Sequence, residues 1–345
     1  MSSNKRWIIK TLASILGTLT LFAAINIFMD PLWTFEYSHP FNQYQSGGKG
    51  RQQKSNILYF RSQKYDTILF GSSRTTYMDQ TKWDGKTFNY ANPALQPNEY
   101  KAYLDFAIHD AKQPIKRVIL GLDFYGALEY KQRASRNPKT ILAPLTKPYY
   151  KLKLLFSMDT IHYSIKNFIY SFVKPAAKYQ HNNVKRSKKR LSDEKYALRI
   201  ARDIEIYNSQ RYSKPFDENY SSYMNQMRDA YPEIEFVLFT TPVCTKHFKE
   251  SMNQETYIKY ERWLKETVNV FGKVHHFMYI NALSDNARTY FQDSNHAFIE
   301  TNECVSNQIL QKPSQCPEVD MIITKENLEE KLQLLRTLND VPSTF

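Results

Sequence analysis

Asp66-Thr67-Ile68-Leu69-Phe70-Gly71-Ser72-Ser73-Arg74 is the stretch on which the fold turns. A short apolar run ending in Gly reads as a buried strand of a parallel sheet. The same signal recurs at Thr87 to Ala91, Lys116 to Leu122, Ile234 to Thr240 and Val274 to Ile280. Helical spacing fills the intervals at Asn98 to Lys112, near Asn219 to Ala230, and at Tyr257 to Val270. Strands separated by helices predict an α/β fold: a mostly parallel sheet with helices on both faces. In such sheets the site lies at the carboxyl ends of the strands.

Working outward, the N-terminus carries a different signal. Lys5, Arg6 and Lys10 precede Thr11 to Phe28, eighteen residues without a charge. A helix of that length rises about 27 Å, close to the thickness of a bilayer core. The flanking basic residues favour a cytoplasmic N-terminus, hence an uncleaved signal anchor. A cleaved signal peptide and a buried helix are the rival readings. The cleavage reading is weakened because a cut after Ala24 puts Phe22 where a small residue is wanted. Either export reading delivers the remaining chain outside the cytoplasm, to the periplasm or cell surface. The expected organisation is a cytoplasmic tail and transmembrane anchor over 1–30, a linker over 31–58, and one α/β domain over 59–345.

The domain contains one break in rhythm, an insertion over 124–190. Between 131 and 190 there are fifteen Lys and Arg and one acid, Asp159, an excess of +14. The whole 345-residue chain carries only +13. Tyr149 to Val173 mixes apolar residues with lysines and suits amphipathic helices. The run Lys185-Arg186-Ser187-Lys188-Lys189-Arg190 closes the insertion. A basic patch fits nucleic acid, an anionic glycan or phospholipid surface, or plain solvent. An extracytoplasmic location argues against nucleic acid.

Composition excludes several classes. Hydrophobic residues at 42% argue against disorder, and a mean hydropathy of −0.59 excludes a polytopic membrane protein. With 9 Gly and neither G-x-x-x-x-G-K-[ST] nor G-x-G-x-x-G, no nucleotide loop is expected. The three cysteines have no metal-ligand spacing, and no cofactor is expected. An oxidising compartment would allow a Cys304–Cys316 disulfide; three unpaired thiols remain the alternative.

Two signals carry chemistry. A Ser at the carboxyl end of the first strand, opening a helical turn, suits a nucleophile, because the turn offers backbone N–H groups to an oxyanion. Far downstream, Asp293-Ser294-Asn295-His296 presents a base and a carboxylate that can fix its tautomer. A parallel sheet brings both to one edge. His247 follows the fourth strand and is a candidate cleft residue. His275 and His276 alternate on the fifth strand, so at most one can approach the site.

This conjunction resembles the SGNH hydrolase superfamily over about residues 60 to 310, in the membrane-anchored branch that includes the DltD-type D-alanyl transferases. Asn89-Tyr90-Ala91-Asn92-Pro93-Ala94 is similar to the family's second block and Gly121-Leu122-Asp123-Phe124 to its third. The resemblance implies a three-layer, flavodoxin-like parallel sheet and a triad of Ser73, His296 and Asp293. It implies an oxyanion N–H from Ala91 or its neighbour Asn92, where the family has Gly. Asp123 stands where the family often has an Asn donor. A carboxylate there would repel an oxyanion, so Asp123 is protonated, points away, or serves structure. Ser72 stands where many relatives have Asp, and Arg74 where many teichoic-acid relatives have Glu. The expectation is a serine esterase or O-acyltransferase acting on envelope polysaccharide or lipid-linked substrates. The alternative is a non-catalytic anchored binding or assembly protein that works with envelope-assembly partners.

Overall fold

A computed structural model describes residues 3–45, 48–129, 136–173, 177–180, 182–187 and 190–339. Its centre is a six-stranded sheet: β1 Thr67–Gly71, β2 Thr87–Asn89, β3 Arg117–Leu122, β4 Glu235–Thr240, β5 Lys273–His276 and β6 Met321–Thr324. The order across the sheet is β2-β1-β3-β4-β5-β6. The first five strands run parallel and β6 closes the edge antiparallel to β5. Alternation along the strands explains the layers. Ile68, Phe70, Val118 and Leu120 enter one core, under the helices Pro97–Asp105, Tyr220–Ala230 and Gln254–Phe271. Leu69, Ile119 and Phe239 enter the other, with Val305 and Ile309 of the helix Ile299–Ile309. The fold is therefore α/β with helices on both faces.

Two elements differ from expectation. The fifth strand stops at His276 because the N–H groups of Phe277 and Met278 donate to Thr240 Oγ1 instead of continuing the ladder. The stretch expected as a linker contains a helix, Gly50–Phe60, with residues 53–58 all buried. Its polar composition concealed this, because the inward side chains find polar partners elsewhere in the fold. Lys54 Nζ donates to the carbonyls of Asn89 and Ala91, Ser55 pairs with the Tyr90 hydroxyl, and Asn56 donates to Leu32 O.

The N-terminal helix, Ser3–Met29, is long and apolar enough to cross a membrane. The region after β3 contains the helices Pro138–Leu142, Tyr150–Leu155 and Met158–Phe172, then a hairpin of Ala177–Gln180 and Lys185–Ser187. Tyr44–Gln45 adds a third strand to that hairpin. The described residues of the basic run make contacts within the protein, although Arg190 is exposed and the Arg186 side chain partly so. Lys185 bonds Thr76, Arg186 pairs with Asp79, and Arg190 reaches the carbonyls of Arg288 and Thr289. Lys188 and Lys189 lie outside the described residues. Cys304 and Cys316 form a disulfide, and Cys244 is a buried free thiol.

Candidate active site

The site begins where β1 ends. Gly71 has φ +152°, and a Cβ there would fall 2.2 Å from Thr75 Oγ1. Gly121, its register partner on β3, meets the same oxygen at the same distance. Two glycines side by side thus let the turn Ser72–Tyr77 fold back onto the strand ends. That turn lifts Ser73 to a half-buried position.

The second half comes from the loop after β5. Gln292 N–H donates to His296 O at 2.7 Å, pinching residues 292–296 into a tight loop. Asp293 Oδ1 accepts from the N–H groups of Asn295 and His296, at 3.1 and 2.9 Å. His296 Nδ1 stands 2.9 Å from Asp293 Oδ2, and His296 Nε2 stands 2.9 Å from Ser73 Oγ. Burial alone would raise the Asp293 carboxyl; the His296 ring and the backbone donors outweigh it and hold the carboxyl below its usual range. An ionised Asp293 fixes the tautomer in which Nδ1 carries the proton and Nε2 accepts from Ser73.

The expected oxyanion donors are differently used. Ala91 N–H donates to Asn89 Oδ1 at 3.1 Å, and Asn92 N–H donates to Gly71 O at 3.0 Å. The first is internal to the second block, and the second holds that block against β1. The Ser73 N–H makes no hydrogen bond among the described residues. Asp123 serves structure. Its carboxylate lies 3.3 Å from Arg74 Nη1 and accepts from Thr241 Oγ1. Arg74 is buried between the rings of Tyr125 and Tyr207, 5.5 and 5.4 Å from their centres. Arg74 and Asp123 thus answer each other: the guanidinium balances the carboxylate beneath the Ser72–Tyr77 turn.

The other histidines are not bases for Ser73. His247 is fully buried, with Nδ1 2.9 Å from Ser294 Oγ and Nε2 3.1 Å from the Tyr212 hydroxyl. Burial, reinforced by Arg74, pulls it down to about 3, so it stays neutral and holds the 292–296 loop from behind. His276 bonds Thr240 and Tyr260, and His275 bonds Asp320.

Sequence reasoning missed the groups that brace the turn. Asn89 Nδ2 donates to the carbonyls of Thr75 and Met78. Lys185, from the insertion hairpin, donates to Thr76 Oγ1 at 2.9 Å and sits 3.5 Å from the centre of the Tyr77 ring. Thr76 Oγ1 in turn donates to Ser73 O at 2.6 Å. Tyr77 meets His296 edge-on, ring centres 5.8 Å apart. Desolvation pulls Lys185 down to about 7, with Asp293 opposing. Arg199 approaches Asp293 Oδ2 at 3.7 Å while pairing with Asp203. Asn89 was within reach of the motif. Nothing in the run around Lys185 separated it from solvated lysines.

Among the described residues no group of His, Cys, Asp and Glu has metal-binding geometry. Two surface cavities of about 440 and 630 Å³ lie elsewhere and include none of Ser73, Asp293 and His296. No protein-family model matches the chain, and no curated protein matches it.

Proposed function

We propose that this protein is a serine-dependent acyl-ester enzyme of the SGNH type, anchored to the membrane and working outside the cytoplasm. The observation that carries the reading is the continuous relay Ser73 Oγ–His296 Nε2, His296 Nδ1–Asp293. Ser73 Oγ attacks the acyl carbonyl carbon and gives its proton to His296 Nε2. The oxyanion accepts from the Ser73 N–H. Collapse expels the alcohol, which takes the proton back from His296, and leaves an acyl-Ser73 ester. His296 then deprotonates water, giving a hydrolase, or a glycan hydroxyl, giving an O-acyltransferase.

Three observations support the setting. The order β2-β1-β3-β4-β5 of the parallel strands matches the flavodoxin-like order 2-1-3-4-5. The Cys304–Cys316 disulfide suits an oxidising compartment. The helix Ser3–Met29 suits a single span. Anchoring directs the site to envelope polysaccharide or lipid-linked esters, not nucleic acid.

One observation favours the second reading, a non-catalytic anchored binding or assembly protein: the Ala91 and Asn92 N–H groups are committed within the fold, so the oxyanion has few donors. A fluorophosphonate probe applied to the full chain in membranes decides between them. Labelling that disappears in Ser73→Ala is expected. A folded parent that stays unlabelled, beside a control hydrolase that labels, means the fold is kept for binding.

A further inference from the structure

The helix Met158–Phe172 is turned inside out. Its inward side presents Thr160, Ile161, Ser164 and Asn167, and its outward side Met158, Ile165, Phe168, Ile169 and Phe172. Phe172 is 65% exposed and Ser164 0%. The inward polar groups are used: Ser164 Oγ donates to Asn26 Oδ1 at 2.8 Å, and Asn26 Nδ2 donates to Leu155 O at 2.8 Å. A helix on a water-facing surface has the opposite arrangement. A contiguous apolar face of this kind marks a place where something other than water sits.

The position says what sits there. The helix packs on the last turns of the N-terminal helix, and the two line an apolar groove of about 450 Å³ between Ile25, Phe28, Ile165 and Phe168. Phe41 bridges them, its ring centre 6.0 Å from Phe28, 5.7 Å from Phe168 and 5.9 Å from Phe172. If Thr11 to Phe28 crosses the hydrocarbon core, Phe28 stands at its outer edge, where aromatic side chains concentrate. Asn26, the polar residue near that edge, is satisfied from within the protein, as a lipid-facing span requires. Lys166 on this helix and exposed Lys153 on the preceding helix, Tyr150–Leu155, can extend to headgroups while their stems stay apolar.

We propose that Met158–Phe172 lies in the outer membrane–water interface with its apolar face among lipid acyl chains. The domain is then held by two elements and cannot swing freely on one span. The site sits at a set height over the bilayer, suited to lipid-linked substrates. The occupant is lipid because the face, in which His162 is the one exposed polar residue among Met158, Ile165 and Ile169, adjoins the exposed apolar surface of the anchor through the groove at Phe28 and Phe168. This inference rests on reading the N-terminal helix as a span, and the test separates the two.

Cys244 is buried and the other two cysteines are bonded, so one introduced cysteine takes a nitroxide label. Phe168→Cys, Leu16→Cys and Leu198→Cys are labelled in the full chain, in vesicles of phosphatidylcholine and phosphatidylglycerol. Relaxation by oxygen is compared with relaxation by a water-soluble nickel chelate. The oxygen-to-nickel ratio should be several-fold higher at Phe168→Cys and Leu16→Cys than at Leu198→Cys, an exposed position on the helix Asp193–Tyr207. A ratio at Phe168→Cys equal to that at Leu198→Cys, with Leu16→Cys still lipid-like, overturns the interfacial helix and leaves the anchor. Water-like values at Leu16→Cys as well overturn both. A Phe168→Cys label shielded from both reagents in native membranes means that a protein covers the face, which also overturns the lipid assignment.

Discussion

Two helices of this protein share a design and face opposite ways. Gln254–Phe271 starts at Asn253, whose side chain accepts from Thr256 N, and Met158–Phe172 starts at Ser157, whose side chain accepts from Thr160 N. Both are strongly two-sided. The first buries Tyr257, Tyr260, Trp263, Leu264 and Val268 against the sheet and carries Glu255, Arg262 and Lys265 outward, in ion pairs. The second buries Ser164 and Asn167 and turns Phe168, Ile169 and Phe172 out. Helical periodicity states that a helix has two faces; it does not state what each face meets. On the sheet side the apolar partner is the protein's own core, while on the insertion side the protein supplies mainly polar partners, with Ile161 the buried apolar exception.

The proposed chemistry belongs to the sheet side, and the largest effect tests it there. Ser73→Ala and His296→Ala should each lower turnover of an activated ester by roughly 10⁴ to 10⁶ while leaving the circular dichroism unchanged. Ser72→Ala should be far milder. A reversal between the two serines would move the nucleophile by one residue and break the alignment of β1 with the triad.

Next comes stability. Trp263 is fully buried and donates to the Tyr220 hydroxyl, so Trp263→Ala should cost about 3 to 5 kcal/mol in denaturant unfolding. Equal losses from Trp263→Ala and Phe172→Ala in detergent would erase the distinction between the two helices.

Lys185 sharpens the contrast, because it is the point where the insertion turns a charge inward. Its folded pKa, about 7, lies below the ordinary lysine value of 10.5. Between those values the unfolded chain binds more protons, so this group makes stability rise with pH. Below about 7 both states are protonated and the full penalty of the buried charge is present. The melting temperature of the parent relative to Lys185→Met should therefore climb from pH 7 toward 10 and stay level between pH 5 and 6. A difference that is flat throughout means Lys185 is solvated.

The smallest effect is expected at the outward face. Phe172→Ser should change stability in detergent by about 0.5 kcal/mol or less, because the side chain is largely exposed and its ring contacts with Phe41 and Phe168 lie at the surface. A loss comparable to that of Trp263→Ala would place Phe172 in the core after all.

The strands, the order of chemistry-bearing motifs and the identities of Ser73, Asp293 and His296 were legible in the chain, because each rests on local pattern. Apolar runs ending at Gly71 and Leu122 mark buried strands, and three residues of spacing bring Asp293 onto His296. The helix Gly50–Phe60 was not legible, since burial of Lys54, Ser55 and Asn56 depends on partners that arrive from Leu32, Asn89, Tyr90 and Ala91. For the same reason Ala91 and Asn92 were read as oxyanion donors. Whether a backbone N–H is free depends on the acceptor that meets it, and those acceptors are Asn89 Oδ1 and Gly71 O. Lys185 looked like its solvated neighbours until the hairpin carried it onto Thr76 and Tyr77. Residue type and period are properties of a segment and can be read from it. Partner identity is a property of two segments brought together, and tertiary packing supplies the second.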